Sequence, residues 1–222
     1  MRPPSFNLSL DVPVPGLVRT SHGLPVDPQV LNKQPPAISA ALAEILNTPD
    51  AGKLLLGLNE LFGSASEYAI GGSVALALHH RSITDSTARR PNDLDVVVSP
   101  SAMDRLSDLD HQGLSQLGFK SEPGNTESLS WAGQGHESLV VDVVPARNSV
   151  AGRGFEHRQM HGGVNVIALQ ALVDNLTYRV RSEPANQQAR SDLAVALNCW
   201  TQPKALLDYK PLARCALSDS SL

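Results

Sequence analysis

The first 36 residues show neither a helical nor a strand period. Prolines stand at 3, 4, 13, 15, 25, 28, 35 and 36. Each removes a backbone donor and fixes φ, so no long helix can form there, and residues 1–36 read as an extended or disordered arm. The pattern changes at Ala37. Apolar residues at 38, 41, 42, 45 and 46 follow helical spacing, and Leu54, Leu55, Leu58, Leu61 and Phe62 form a second helical stripe that Gly63-Ser64 ends. Tyr68-Ala69-Ile70 predicts a short strand running into Gly71-Gly72-Ser73, and Val74 to His79 predicts a helix. Residues 81–92 are polar and read as a loop. Leu94 to Val98 is strongly β-branched and predicts a strand. Pro100 then opens a helix that carries Met103, Leu106, Leu109, Leu114 and Leu117 on one side.

Further on, Phe119 to Glu122 and Glu127 to Trp131 predict paired strands around Pro123-Gly124-Asn125. Leu139 to Val144 is a clear strand stopped by Pro145. The glycine-rich stretch 151–163 is a loop or hairpin, and Val164 to Ile167 is a short strand. Helices are expected over Leu169 to Val180, over Gln187 to Leu197, and from Pro203 to about Cys215. This order predicts an α/β (α+β) fold with a small mixed β-sheet flanked by helices and a helical C-terminal part. The expected divisions are an arm over 1–36, a core over 37–166 and a helical region over 167–222.

Composition narrows the picture. The chain has 222 residues, 41% of them hydrophobic and only 4% aromatic, so its core must be built from Leu, Val, Ile and Ala. The formal net charge is -4. Phosphate contacts dominate nucleic-acid affinity, so an acidic balance argues against a broad nucleic-acid surface while allowing a local contact with an RNA end or a triphosphate. The local basic cluster is Arg81, Arg89 and Arg90. Two late cysteines, Cys199 and Cys215, lack partners at zinc spacing, so cytoplasmic chemistry is the default. No apolar run reaches the roughly 18 residues of a membrane span. The proline-rich leader suits either a simple tail or the translocation signal of an exported effector.

Three short segments carry candidate chemistry. Gly71-Gly72-Ser73 lies between a strand and a helix, where glycines allow close backbone approach and the helix start offers N–H groups to an anion. Alone this is also a common turn. Asp93 and Asp95 alternate with Leu94 along a strand, so both point to one face. Two such carboxylates repel and are costly to desolvate unless a cation joins them. Asp142 interrupts a run of four valines, Val140-Val141-Asp142-Val143-Val144, as either a partly exposed strand residue or a third carboxylate facing the first two.

Taken together, YAIGGSVALAL, PNDLDVVV and LVVDVV resemble the nucleotidyltransferase fold of the polymerase-β superfamily, in the version of small bacterial abortive-infection and type IV toxin enzymes. The resemblance covers about residues 66–145 and extends more weakly over 168–200. It implies Asp93, Asp95 and Asp142 as catalytic residues and ligands of Mg2+, with Mn2+ as a substitute, and a nucleoside triphosphate (NTP, such as ATP) as substrate. It also implies nucleotide binding by Gly71, Gly72 and Ser73, with Arg81 and Arg90 reaching phosphate oxygens. Arg179 or Arg181 could reach them from the C-terminal helix. The chain departs from the pattern where related enzymes place a lysine in the helix after the third carboxylate, since the nearest match here is Asn175. The implied reaction moves a nucleoside monophosphate to an acceptor hydroxyl on tRNA, a protein or a small molecule and releases pyrophosphate. A toxin role with a cognate neutralising protein belongs to the same resemblance. The competing expectations are a catalytically inactive nucleotide- or protein-binding module on this fold, and an unrelated α/β interaction domain.

Overall fold

The computed structural model describes residues 18–19, 25–26, 36–83, 89–122, 125–132, 138–146 and 154–201. Within the expected arm, β1 (Val18–Arg19) and β2 (Pro25–Val26) pair antiparallel. The helix expected from Pro203 lies outside the described residues, as does Cys215.

Two helices open the core, α1 (Ser39–Leu46) and α2 (Ala51–Phe62). Then come β3 (Tyr68–Ile70), α3 (Gly72–Ile83) and β4 (Asp93–Val98). The expected single helix from Pro100 is two, α4 (Pro100–Asp108) and α5 (His111–Gln116). Leu109 leaves the helix with extended backbone, and the Asp110 carboxylate accepts from the Gly113 N–H at 2.7 Å to start the second helix. An aspartate N-cap is the local signal that the run of leucines hid. Ser99 caps α4 in the same way, accepting from Ala102 N–H.

The remaining strands are β5 (Phe119–Ser121), β6 (Ser128–Trp131), β7 (Leu139–Pro145), β8 (Gln159–His161) and β9 (Val164–Val166), followed by α6 (Leu169–Ser182) and α7 (Gln187–Trp200). Seven strands form one mixed sheet in the order β5-β6-β7-β4-β3-β9-β8. β4 runs parallel to β7 and antiparallel to β3, and β3 runs parallel to β9.

Strand alternation assigns the two faces of this sheet. Leu94, Val96, Leu129, Trp131, Val141, Val143 and Phe119 point to one face and are all buried. α2 packs there: Gly57 lies so close to Phe119 that an added Cβ would stand 3.0 Å from its ring, and the Tyr68 hydroxyl donates to Asn59 at 2.9 Å. On the opposite face of β5, β6 and β7 stand Lys120, Ser128, Ser130, Val140 and Asp142, which are exposed or half-buried.

α3 is tied to the sheet's far side by His79. Its Nε2 lies 2.8 Å from the Ile167 carbonyl, and its ring meets His161 edge-on at 5.7 Å. Burial of His79 opposes its protonation and holds its pKa below the usual histidine value, with the His161 ring acting in the same direction. The unfolded chain therefore takes up this proton first as pH falls. Stability should drop as pH is lowered through about 6.5, by at most about 1.4 kcal/mol per pH unit for one proton. Urea unfolding of His79→Gln between pH 7.5 and 5 should show a weaker acid-side loss than the parent chain.

Leu58 is fully buried in α2 and remote from the carboxylate face. Leu58→Ala should cost about 2–5 kcal/mol, read as a lower urea midpoint.

Candidate active site

The site is set by the β4–β7 register. Asp95 lies directly beside Asp142 in the parallel pair, and Asp93 beside Val140. Neighbouring strands lie about 4.8 Å apart, and alternate residues of a strand about 6.6 Å apart. All three carboxylates thus share a small area on one face: the alternation of Asp93 and Asp95 was readable in the sequence, and the β4–β7 register adds Asp142. Their proximity is felt electrostatically. Burial, then the charges of Asp93 and Asp142, raise the Asp95 pKa to about 6, while Arg179 acts in the opposite direction.

Among the described residues, no three His, Cys, Asp or Glu side chains are gathered tightly enough to enclose an ion as they stand. Carboxylate oxygens on one strand pair are of the chemical kind that hard divalent cations take.

Asp142 has a partner that the sequence did not signal. The Ser128 hydroxyl donates to its Oδ1 at 3.1 Å. Ser128 is the register neighbour of Asp142 on β6, so strand pairing alone brings the two together. The β6–β7 pairing had to be known before this contact could be read.

The glycine turn packs directly onto Asp95. The Gly71 N–H donates to the Asp95 carbonyl at 2.9 Å, and the Gly71 carbonyl accepts from Ala75 in the first turn of α3. Gly72 has φ +52°, and an added Cβ there would lie 1.7 Å from Asp95 Oδ2. Only glycine satisfies both the backbone angle and the space. Ser73, half-buried, sits in the first turn of α3, where backbone N–H groups have no intrahelical acceptor. The cleft beside this turn is lined by Gly71, Gly72, Val97, Ile167, Leu172 and Asn175, among others. Asn175 therefore faces the glycine turn from α6.

The arginines divide. Arg81 lies nine residues beyond Gly72, about 14 Å along α3, and pairs with Glu44 of α1. That removes it from the site where it was expected, because the helix axis carries it to the opposite end. Arg90 is exposed three residues before Asp93. Arg89 lies 3.8 Å from Asp192 of α7, joining the segment before β4 to the C-terminal helices. Arg179 of α6 is the described cation whose charge reaches Asp95. Cys199 is buried and its thiol pKa is raised by that burial, as befits an inert core thiol.

No protein-family model matches the chain, and comparison with curated proteins gives no match. The structure is similar to the crystal structure of ANT(2'')-Ia in complex with adenylyl-2''-tobramycin, at 15% sequence identity and a TM-score of 0.40, covering 64% of this chain and 83% of that one. A score of that size is too low for the likeness to bear on function. No described helix is long and apolar enough to cross a membrane.

Three outcomes follow from this geometry. Carbon-13 NMR of the metal-free protein should show Asp95 titrating near 6, and Asp93→Asn or Asp142→Asn should each move it down towards the usual carboxylate range. Because its folded pKa lies above the unfolded value, the metal-free chain should lose stability as pH rises from about 4 through about 6. Gly72→Ala should cost about 1–2 kcal/mol for the left-handed backbone alone and should force the Asp95 carboxyl aside, read as a lower urea midpoint.

Proposed function

We propose that the chain is a metal-dependent nucleotidyltransferase of the polymerase-β superfamily, transferring a nucleoside monophosphate from an NTP to an acceptor hydroxyl. One observation carries this reading. Asp95 stands between Asp142, on the neighbouring strand, and the Gly71-Gly72-Ser73 turn at the start of α3. Carboxylates and phosphate-accepting N–H groups have opposite preferences, and a divalent cation with a triphosphate satisfies both.

Asp93, Asp95 and Asp142 would hold Mg2+ or Mn2+. When bound, the cation supplies charge neutralisation between carboxylates and phosphates and acidifies a coordinated hydroxyl. The chain's own groups do the rest. The first turn of α3 and the Ser73 hydroxyl orient the phosphates. Asp142, with Oδ1 held by Ser128, fixes the approach of the acceptor hydroxyl and can take its proton. Arg179 and Arg90 supply positive charge as pyrophosphate departs. Most of the rate gain in such a site comes from positioning and charge neutralisation.

The open face of β5, β6 and β7 adjoins Asp142 and offers Ser130, Val140 and Lys120 as the ground on which an acceptor would lie. An RNA end, a protein hydroxyl and a small molecule all meet that requirement. A bacterial toxin or effector acting in the cytoplasm, with a cognate neutralising protein, fits the kind of enzyme that the sequence motifs resemble.

The test is direct. With labelled ATP, CTP, GTP and UTP in a cell lysate, Mg2+ should permit labelling of one class of acceptor with release of pyrophosphate. Asp93→Asn and Asp95→Asn should each reduce the rate by at least about 10²-fold while circular dichroism stays unchanged. Nucleotide binding without pyrophosphate release under any of these conditions would instead identify an inactive binding module.

A further inference from the structure

α6 borders the cleft through Ala171, Leu172 and Asn175, opposite Gly71 and Gly72. Residues at i, i+4, i+7 and i+11 share one face of a helix. Ala171, Asn175, Tyr178 and Ser182 therefore form one stripe, and Tyr178 lies about 5 Å further along the axis than Asn175. The Tyr178 side chain is 58% exposed, whereas Tyr68 is fully buried. It is the aromatic residue among the exposed large hydrophobic side chains described. The adjacent Arg179 extends its charge to Asp95, so this turn of α6 lies within electrostatic range of the carboxylates.

The cleft leaves a nucleotide few directions. Its floor is closed by Val97, Ile167 and Leu172, each at most 5% exposed. With Gly154 also walling the cleft beside Ile167 and Ala171, a triphosphate seated on the α3 turn has the α6 stripe and the open face beside Asp142 as routes for its sugar and base. The second route would occupy the ground that an acceptor hydroxyl needs.

We propose that Tyr178 is the platform on which the base of the bound NTP stacks, so that α6 takes the base and the open face of β5 to β7 is left to the acceptor. This rests on the nucleotidyltransferase reading. Stacking on an aromatic face is tolerant of base identity, because every base presents a π surface. Tyr178 thus contributes affinity shared by all four nucleotides rather than discrimination among them.

Isothermal titration of the full chain with Mg2+ tests this, using ATP, CTP, GTP, UTP and, as a probe without a base, inorganic tripolyphosphate. Tyr178→Ala should weaken each nucleotide by about 5- to 100-fold and leave tripolyphosphate unchanged, while Tyr178→Phe should bind all of them as the parent does. Unchanged nucleotide affinity in Tyr178→Ala would overturn the assignment. So would an equal loss for tripolyphosphate, which would mean a displaced helix, or a loss in Tyr178→Phe matching that in Tyr178→Ala. A parent chain that binds none of the nucleotides would overturn both this inference and the function beneath it. Undiminished pyrophosphate release by Asp93→Asn would remove the catalytic reading alone and leave the stacking result to stand.

Discussion

Like charge held on adjacent strands is the constraint around which this molecule is arranged. Asp95 and Asp142 are register neighbours and Asp93 is two residues away; burial first, and then these two charges, make Asp95 resist ionisation. Keeping a charged carboxyl away from water and beside two like charges is unfavourable. The opposite face of the same strand pair opposes that cost. Leu94, Val96, Val141 and Val143 are each at most 2% exposed, and burying such side chains is worth about 1.5–3 kcal/mol apiece. Apolar burial on that face helps the strands to hold the three carboxylates side by side. Alternation along β4 and β7 puts the apolar core on one face and the three carboxylates on the other.

The glycine turn is coupled to this arrangement through Asp95 itself. The Gly71 N–H holds the Asp95 carbonyl, and the missing Cβ of Gly72 leaves room for the Asp95 carboxyl. Any movement of the α3 start would move the backbone that positions Asp95. His79 fixes the other half of α3 against the Ile167 carbonyl, and Ile167 lies in the cleft floor. The helix is thereby pinned at both ends to elements that border the site.

What was legible in the sequence was whatever depended on short-range pattern. The alternation in Asp93-Leu94-Asp95 and the valine run around Asp142 were enough to put all three carboxylates on strands, and Gly71-Gly72 marked the turn. Failures came where a pattern continued past a local signal or where distance along an element decided the outcome. The leucines from 106 to 117 hid the cap at Asp110. Arg81 looked close to the carboxylates along the chain, yet the length of α3 carries it to Glu44. Arg179 was offered from the C-terminal helix, whereas Ser128 reaches the site through strand pairing between distant segments. No residue near Ser128 in the chain announces that contact.

The arrangement also separates what two substrates would need. Phosphates require donors with no competing acceptor, and the start of α3 has them. An attacking hydroxyl requires a carboxylate open on one side, and Asp142 lies at the border of the sheet's exposed face, steadied by Ser128. On the nucleotidyl-transfer reading, Asp95 stands between these two environments, within the field of both other carboxylates and of Arg179. A cation that relieved the repulsion at Asp95 would therefore draw the nucleotide side and the acceptor side towards one point. The same electrostatic cost that makes the metal-free site unfavourable would then become the force that assembles it.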